Sequence, residues 1–291
     1  MVTINKRRRK NVPDKRLNGR VAVVTGAHTA IGSAIVNRFA NEGAKVAFFG
    51  CCEESGGRLL DTIKSSNGEC LFAKVNISNH DEVKTFFDKV SETLGDADTL
   101  VTVPTITQCK PFVELSEDDW VDLMENDGLG AIYAMWEALP AMKMHRKGSI
   151  INVTSLYGSE AGVRVAFNAY FMAGMHNLMR CLSMEYSPWG IRVNALAPGF
   201  IAEDGQEHTS EDVFRVMGDD TLRRAGTPEE VANAALWLAS DEASFVTGAV
   251  INVNGGVVSR TIETKTWMTG DTEFPRSFET GASAVKDAAQ R

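Results

Sequence analysis

Apolar positions along this chain switch between two spacings. Seven short runs rich in Val, Ile, Ala and Phe read as strands buried on both faces: Arg20–Thr25, Lys45–Gly50, Cys70–Val75, Thr99–Val103, Ser149–Thr154, Arg192–Ala197 and Ala249–Val253. Longer segments between them predict helices: Ala30–Glu42, Gly56–Ser66, His80–Leu94, Glu117–His145, Phe167–Ser187 and Pro228–Ser240. The last begins with Thr227-Pro-Glu-Glu230, which puts a capping hydroxyl first, Pro in the first turn and Glu three residues on. Alternation of strand and helix implies one α/β domain, a doubly wound parallel sheet of seven strands with helices on both faces. We expect that domain over residues 17–260. A basic flexible arm is expected over 1–16 and a tail over 261–291.

A chain of 291 residues with 44% hydrophobic content can bury one large core. No apolar run approaches the ~18 residues of a membrane span, and the N-terminal stretch lacks a secretory pattern. The five cysteines have no metal-ligand spacing, so reduced thiols and a cytoplasmic setting are expected. A net charge of −8 argues against a nucleic-acid-binding body, although Lys6–Lys10 is a basic run.

The candidate chemistry lies where strands end. Thr25-Gly-Ala-His-Thr-Ala-Ile-Gly32 follows the first strand, Ser155 follows the fifth, and Pro198-Gly199 follows the sixth. With Gly226-Thr-Pro-Glu-Glu and Val253-Asn-Gly-Gly256, these segments resemble the short-chain dehydrogenase/reductase family over roughly Leu17–Arg260. The resemblance implies a Rossmann-like sheet in the order 3-2-1-4-5-6-7. It also implies a nicotinamide cofactor held by Gly26, His28, Ala30, Ile31 and Gly32 at the first turn, by Asn76 after the third strand, and by Pro198 and Gly199. Several of these positions depart from the family pattern. Ala30 replaces the middle glycine, Gly50 stands where relatives place the ribose-binding Asp, and Asn76 replaces another Asp. Thr102-Val-Pro-Thr105 replaces Asn-Asn-Ala-Gly, and Glu203 stands where a Thr is common. NAD(P) binding is therefore left open, with neither NAD nor NADP specified.

In the family a Tyr stands thirteen residues after the Ser and a Lys four further on, which here are Asn168 and Met172. Tyr170 lies two residues from Asn168, about 200° around a helix, and so faces away from it. The family's helix Asn becomes Asp127. Asn168 cannot titrate and Met172 carries no charge, so the usual proton relay fails with these groups. Halohydrin dehalogenases are relatives that gave up hydride transfer, but they keep the Tyr and use an Arg, and neither is present at these positions. What remains is Ser155 as an oxyanion donor, Asn168 as a second donor, Asp127 as a base and Tyr157 as a proton donor. Each also has a bland role in packing or solvation.

The leading expectation is a repurposed non-redox enzyme of the cyclase, isomerase or lyase type acting on a small organic molecule. The alternatives are an NAD(P)-dependent oxidoreductase with an atypical proton donor, and a catalytically silent subunit paired with an active paralogue. A homodimer or homotetramer is expected. Its contact would be the segments Glu117–His145 and Phe167–Ser187, with Met135, Trp136, Met142, Tyr170, Phe171, Met175 and Leu178 supplying apolar surface. The acidic stretch Glu203–Asp220 is expected to act as a lid.

Overall fold

The computed structural model describes residues 15–104, 110–162, 164–202, 222 and 224–257. Its strands are β1 (Val21–Val24), β2 (Lys45–Gly50), β3 (Cys70–Lys74), β4 (Thr99–Thr102), β5 (Gly148–Val153), β6 (Ile191–Pro198) and β7 (Val250–Val253). They form one parallel sheet in the order β3-β2-β1-β4-β5-β6-β7, as expected. The helices are α1 (Ala30–Asn41), α2 (Glu53–Ser65), α3 (His80–Thr93), α4 (Glu117–Leu123), α5 (Gly130–His145), α6 (Ala166–Tyr186) and α7 (Pro228–Ala239).

The inner strands are largely apolar because both faces are covered, while Lys74 on β3 and Asn252 on β7, at the two edges, are exposed. Val21, Val23, Ala47, Phe49 and Ile150 join the core beneath α3, α5 and α6. Ala22, Val24, Val46, Phe48 and Ile151 join the core beneath α1 and α7. Burying a Phe or Ile side chain at such a position contributes roughly 1.5–3 kcal/mol.

Helix ends follow local chemistry. The Thr227–Glu230 capping box opens α7 at the expected place. A second box, Ser116 with Asp119, opens α4. The second helix starts at Glu53 rather than Gly56, with Glu53 and Glu54 in a first turn where the helix dipole favours negative charge.

The expected helix Glu117–His145 is instead three pieces. A π turn, Met124–Leu129, separates α4 from α5. Gly130 follows it, and a Cβ there would come within 2.6 Å of Ile77.

The proposed apolar surface needs correction. Met135, Met142, Phe171 and Met175 are buried in the chain's own core, whereas Trp136 and Tyr170 are 55% and 67% exposed. The helical face points inward because each apolar stripe covers the sheet. Arg16, the last residue of the expected arm, bonds Glu242 and Glu42 of the main body. The rest of the arm and the tail lie outside the described residues.

Among the described residues, one histidine is buried with the core. His176 of α6 packs its ring on Gly158, where a Cβ would come within 2.3 Å. Its Nε2 lies 2.8 Å from Thr154 Oγ1, and its Nδ1 lies 3.5 Å from Ser159 Oγ. Burial, then the charge of Arg180, pushes this imidazole below its ordinary range, so the folded chain holds it neutral.

Two outcomes follow. Gly32→Ala would drive a methyl to 2.2 Å from the Gly26 carbonyl oxygen. We expect it to cost about 1–3 kcal/mol in urea unfolding, and an unchanged midpoint would contradict this packing. The unfolded chain protonates His176 below about pH 6.5 while the folded chain resists, so stability should fall as pH falls through that range. His176→Gln should flatten the slope by at most about 1.4 kcal/mol per pH unit, and an unchanged slope would contradict the neutral ring.

Candidate active site

The β1–α1 turn is built for close approach. Thr25 is buried, and its Oγ1 accepts from Val103 N at 3.1 Å, which ties the ends of β1 and β4 together. Gly26 has φ 61°, and a Cβ there would sit 2.5 Å from Val103 O. Ala27 N donates to Phe49 O at 3.2 Å. Thr29 caps α1: its hydroxyl donates to Gly26 O at 2.8 Å and accepts from Gly32 N at 3.0 Å. The cap leaves the amides of Ala30 and Ile31 with no acceptor inside the helix, and they sit where the helix dipole is positive. This turn can hold a phosphate or another anion.

His28 packs into the fold at this turn. It is half-buried, its Nδ1 is sealed from solvent without a hydrogen-bond partner, and burial pushes the ring below its ordinary pKa. The space comes from Gly50, where a Cβ would lie 2.7 Å from that nitrogen. Asn76 has a structural task. Its Oδ1 accepts from Ser78 N at 3.2 Å and from Ser78 Oγ at 2.8 Å, while its backbone N donates to Glu82.

Ser155 follows β5 and opens a short 3₁₀ turn, Leu156–Gly158, with its Oγ accepting from Tyr157 N at 3.3 Å. Ser155 and Tyr157 are both partly exposed. Tyr157 stands against Gly162, where a Cβ would come within 2.8 Å of the ring. On α6, Asn168, Met172 and His176 are all buried, at positions one turn apart on one face. Tyr170 faces outward, with its ring 5.8 Å from Trp120.

A cavity of about 20 Å³ lies where β1, β4 and β5 end against α6. Its lining includes Thr102, Asn126, Asp127, Asn152, Met172 and Met175. Asp127 sits in the π turn, 7% exposed, and is the only carboxylate in that lining. The structure thus brings Asp127 and Met172 together, while Ser155, Tyr157 and Asn168 are not part of this cavity's wall. Asn152 Nδ2 donates to Thr102 Oγ1 at 2.8 Å. Pro198 ends β6, and Gly199 packs so closely on Asn254 that a Cβ would meet it at 2.7 Å. Glu203, Thr105 and the stretch Glu203–Asp220 lie outside the described residues. Among the described residues no helix is long and apolar enough to cross a membrane.

Sequence reasoning missed His176, whose contacts with Thr154 and Ser159 flank Ser155 on both sides. The signal was present: it stands four residues after Met172 and eight after Asn168, on the same face of the helix.

The family model described as enoyl-(acyl carrier protein) reductase matches residues 26–258. A 3-oxoacyl-[acyl-carrier-protein] reductase FabG of Thermotoga maritima is 35% identical over 245 residues, which is 84% of this chain and 99% of that one. The FabG of Staphylococcus epidermidis is 33% identical over 238 residues, 81% of this chain and 98% of the relative. Among solved structures, a gluconate 5-dehydrogenase from Burkholderia cenocepacia in complex with NADP and tartrate aligns with a TM-score of 0.79 and 25% identity. That alignment covers 84% of this chain and 98% of the other. These relatives overturn the expected non-redox cyclase, isomerase or lyase, because each is named as a reductase or a dehydrogenase. By the length matched and these identities, the chain belongs to the short-chain dehydrogenase/reductase family.

Proposed function

We propose that this protein is an NAD(P)-dependent oxidoreductase that interconverts a carbonyl and an alcohol on a small organic molecule. The observation that carries this reading is the β1–α1 turn: Gly26 at φ 61°, the Thr29 cap, and two helix amides without intrahelical acceptors. The residues fit a dinucleotide. The turn offers donors to a pyrophosphate, the Ala30 methyl is small and partly exposed, and the buried Nδ1 of His28 awaits a polar partner. Pro198 and Gly199, at the end of β6, close the other side of the same sheet edge.

When bound, the nicotinamide gives or takes a hydride at the substrate carbon. The chain's residues deal with the oxygen. Ser155 donates a hydrogen bond to it, and Asn168 serves as a second donor from the position where the family carries Tyr. Met172 fills, with buried apolar volume, the position where the family carries Lys. Proton supply then falls to another group. Tyr157, partly exposed beside Ser155, is the proposed donor, and Asp127 is the buried carboxylate that adjusts the charge of the cavity behind it. The cytoplasmic setting and the homodimer or homotetramer remain part of this reading, with Trp136 and Tyr170 as the exposed aromatics available for contact.

The test is consumption of NADH or NADPH with a panel of small ketones that includes a 3-oxoacyl thioester and a keto-sugar acid. Ser155→Ala should lower kcat/KM by about 10²–10³ with cofactor Kd unchanged, and Tyr157→Phe should lower kcat by about 10²-fold or more. Unchanged turnover in Ser155→Ala would contradict the oxygen site. Absence of binding by both nucleotides would contradict the function.

A further inference from the structure

The fold leaves a side-chain polar atom of the first turn unused. His28 Nδ1 is sealed from solvent and bonded to nothing, and leaving such an atom unsatisfied costs about 1–3 kcal/mol. The ring presses on Gly50, the last residue of β2. A Cβ on Gly50 would come within 2.7 Å of Nδ1 and 3.3 Å of the His28 backbone N. In sheets of this topology the end of the second strand is where a carboxylate bonds the ribose hydroxyls of a dinucleotide whose pyrophosphate sits at the first helix. This chain carries no side chain there and fills the space with an imidazole from the neighbouring turn. A carboxylate would reject a 2′-phosphate. An imidazole suits either ligand: the neutral ring bonds a hydroxyl, and the protonated ring pairs with a phosphate.

We infer that His28 reads the 2′ position of the adenosine ribose, bonding the 2′-hydroxyl of NAD(H) as a neutral ring and the 2′-phosphate of NADP(H) as an imidazolium. The inference rests on the nucleotide-binding reading above and adds the choice between the two cofactors. Burial keeps the free ring neutral near pH 7, so NADP(H) must bring a proton with it and NAD(H) need not. The other charged or titratable groups on the elements meeting here are few. Glu53 and Glu54 open α2, with Arg58 held on Glu54, and Lys74 of β3 pairs with Gly50 in the sheet register. Cys51 and Cys52 lie between β2 and α2, and the Ser55 hydroxyl draws the Cys52 thiol below its ordinary value. The two carboxylates oppose a phosphate dianion, while Lys74 and the α1 N-terminus favour it. The Cys52 thiol is a second titratable side chain beside this strand end, so Cys52→Ser serves as a control.

The experiment is calorimetric titration of the full chain with NAD⁺ and NADP⁺ between about pH 6 and 8.5, in buffers of different ionisation enthalpy. As pH falls, the NADP⁺-to-NAD⁺ affinity ratio of the wild type and of Cys52→Ser should rise toward about tenfold per pH unit, the limit for one linked proton. NADP⁺ binding should take up a proton from the buffer, and NAD⁺ binding should not. In His28→Asn, which keeps an acceptor that cannot titrate, the slope should shrink to that of the 2′-phosphate alone, whose own pKa is about 6. His28→Ala should do the same and also weaken NAD⁺. Equal slopes in wild type and His28→Asn would overturn the inference and leave the proposed function standing. Failure of both nucleotides to bind would overturn both.

Discussion

Gly32 lies so close to the Gly26 carbonyl that a single methyl would reach within 2.2 Å of the oxygen. That contact fixes where α1 starts relative to the end of β1. Gly26, at positive φ, makes the turn possible, and Thr29 locks it by bonding both Gly26 O and Gly32 N. Three consequences share this geometry. The amides of Ala30 and Ile31 face outward at the positive end of the helix, Thr25 is held against β4, and His28 is pressed over Gly50. The two amides lack acceptors inside the helix, and the His28 Nδ1, sealed from solvent, lacks a hydrogen-bond partner.

Much of this was legible in the chain. The sheet was readable because fully buried parallel strands need continuous apolar runs, and Lys45–Gly50 and Ser149–Thr154 are such runs. The start of α7 was readable because Thr227 and Glu230 cap it through their own side chains. The π turn around Asp127 was not, because the apolar spacing runs through Met124–Leu129 with no proline that marks it. Nor was the burial of Met135, Met142, Phe171 and Met175, since apolar helix positions look alike whether the neighbour is a sheet or a second subunit. The pairing of His28 with Gly50 joins residues on two different strands' ends and depends on the sheet order.

The expectation of non-redox chemistry gave two side chains on α6, Asn168 and Met172, more weight than the nucleotide turn. The two parts are physically separate. The turn at α1 offers backbone amides to an anion and is built without α6. Asn168 and Met172 are buried on α6. Relatives over more than four-fifths of the chain are reductases by name, in keeping with the geometry of that turn. His176 belongs to the same face. It bonds Thr154 and stands near Ser159, so the segment bearing Ser155 is braced by α6.

The central claim is that a nicotinamide dinucleotide lies across the β1–α1 turn. Hydrogen exchange of the backbone amides tests it directly, followed with and without saturating NADP⁺. The account predicts strong slowing at Ala30 and Ile31, whose amides lack partners in the free chain, and little change at Gly32, which Thr29 already holds. Unaltered exchange at Ala30 and Ile31 with nucleotide present would contradict it.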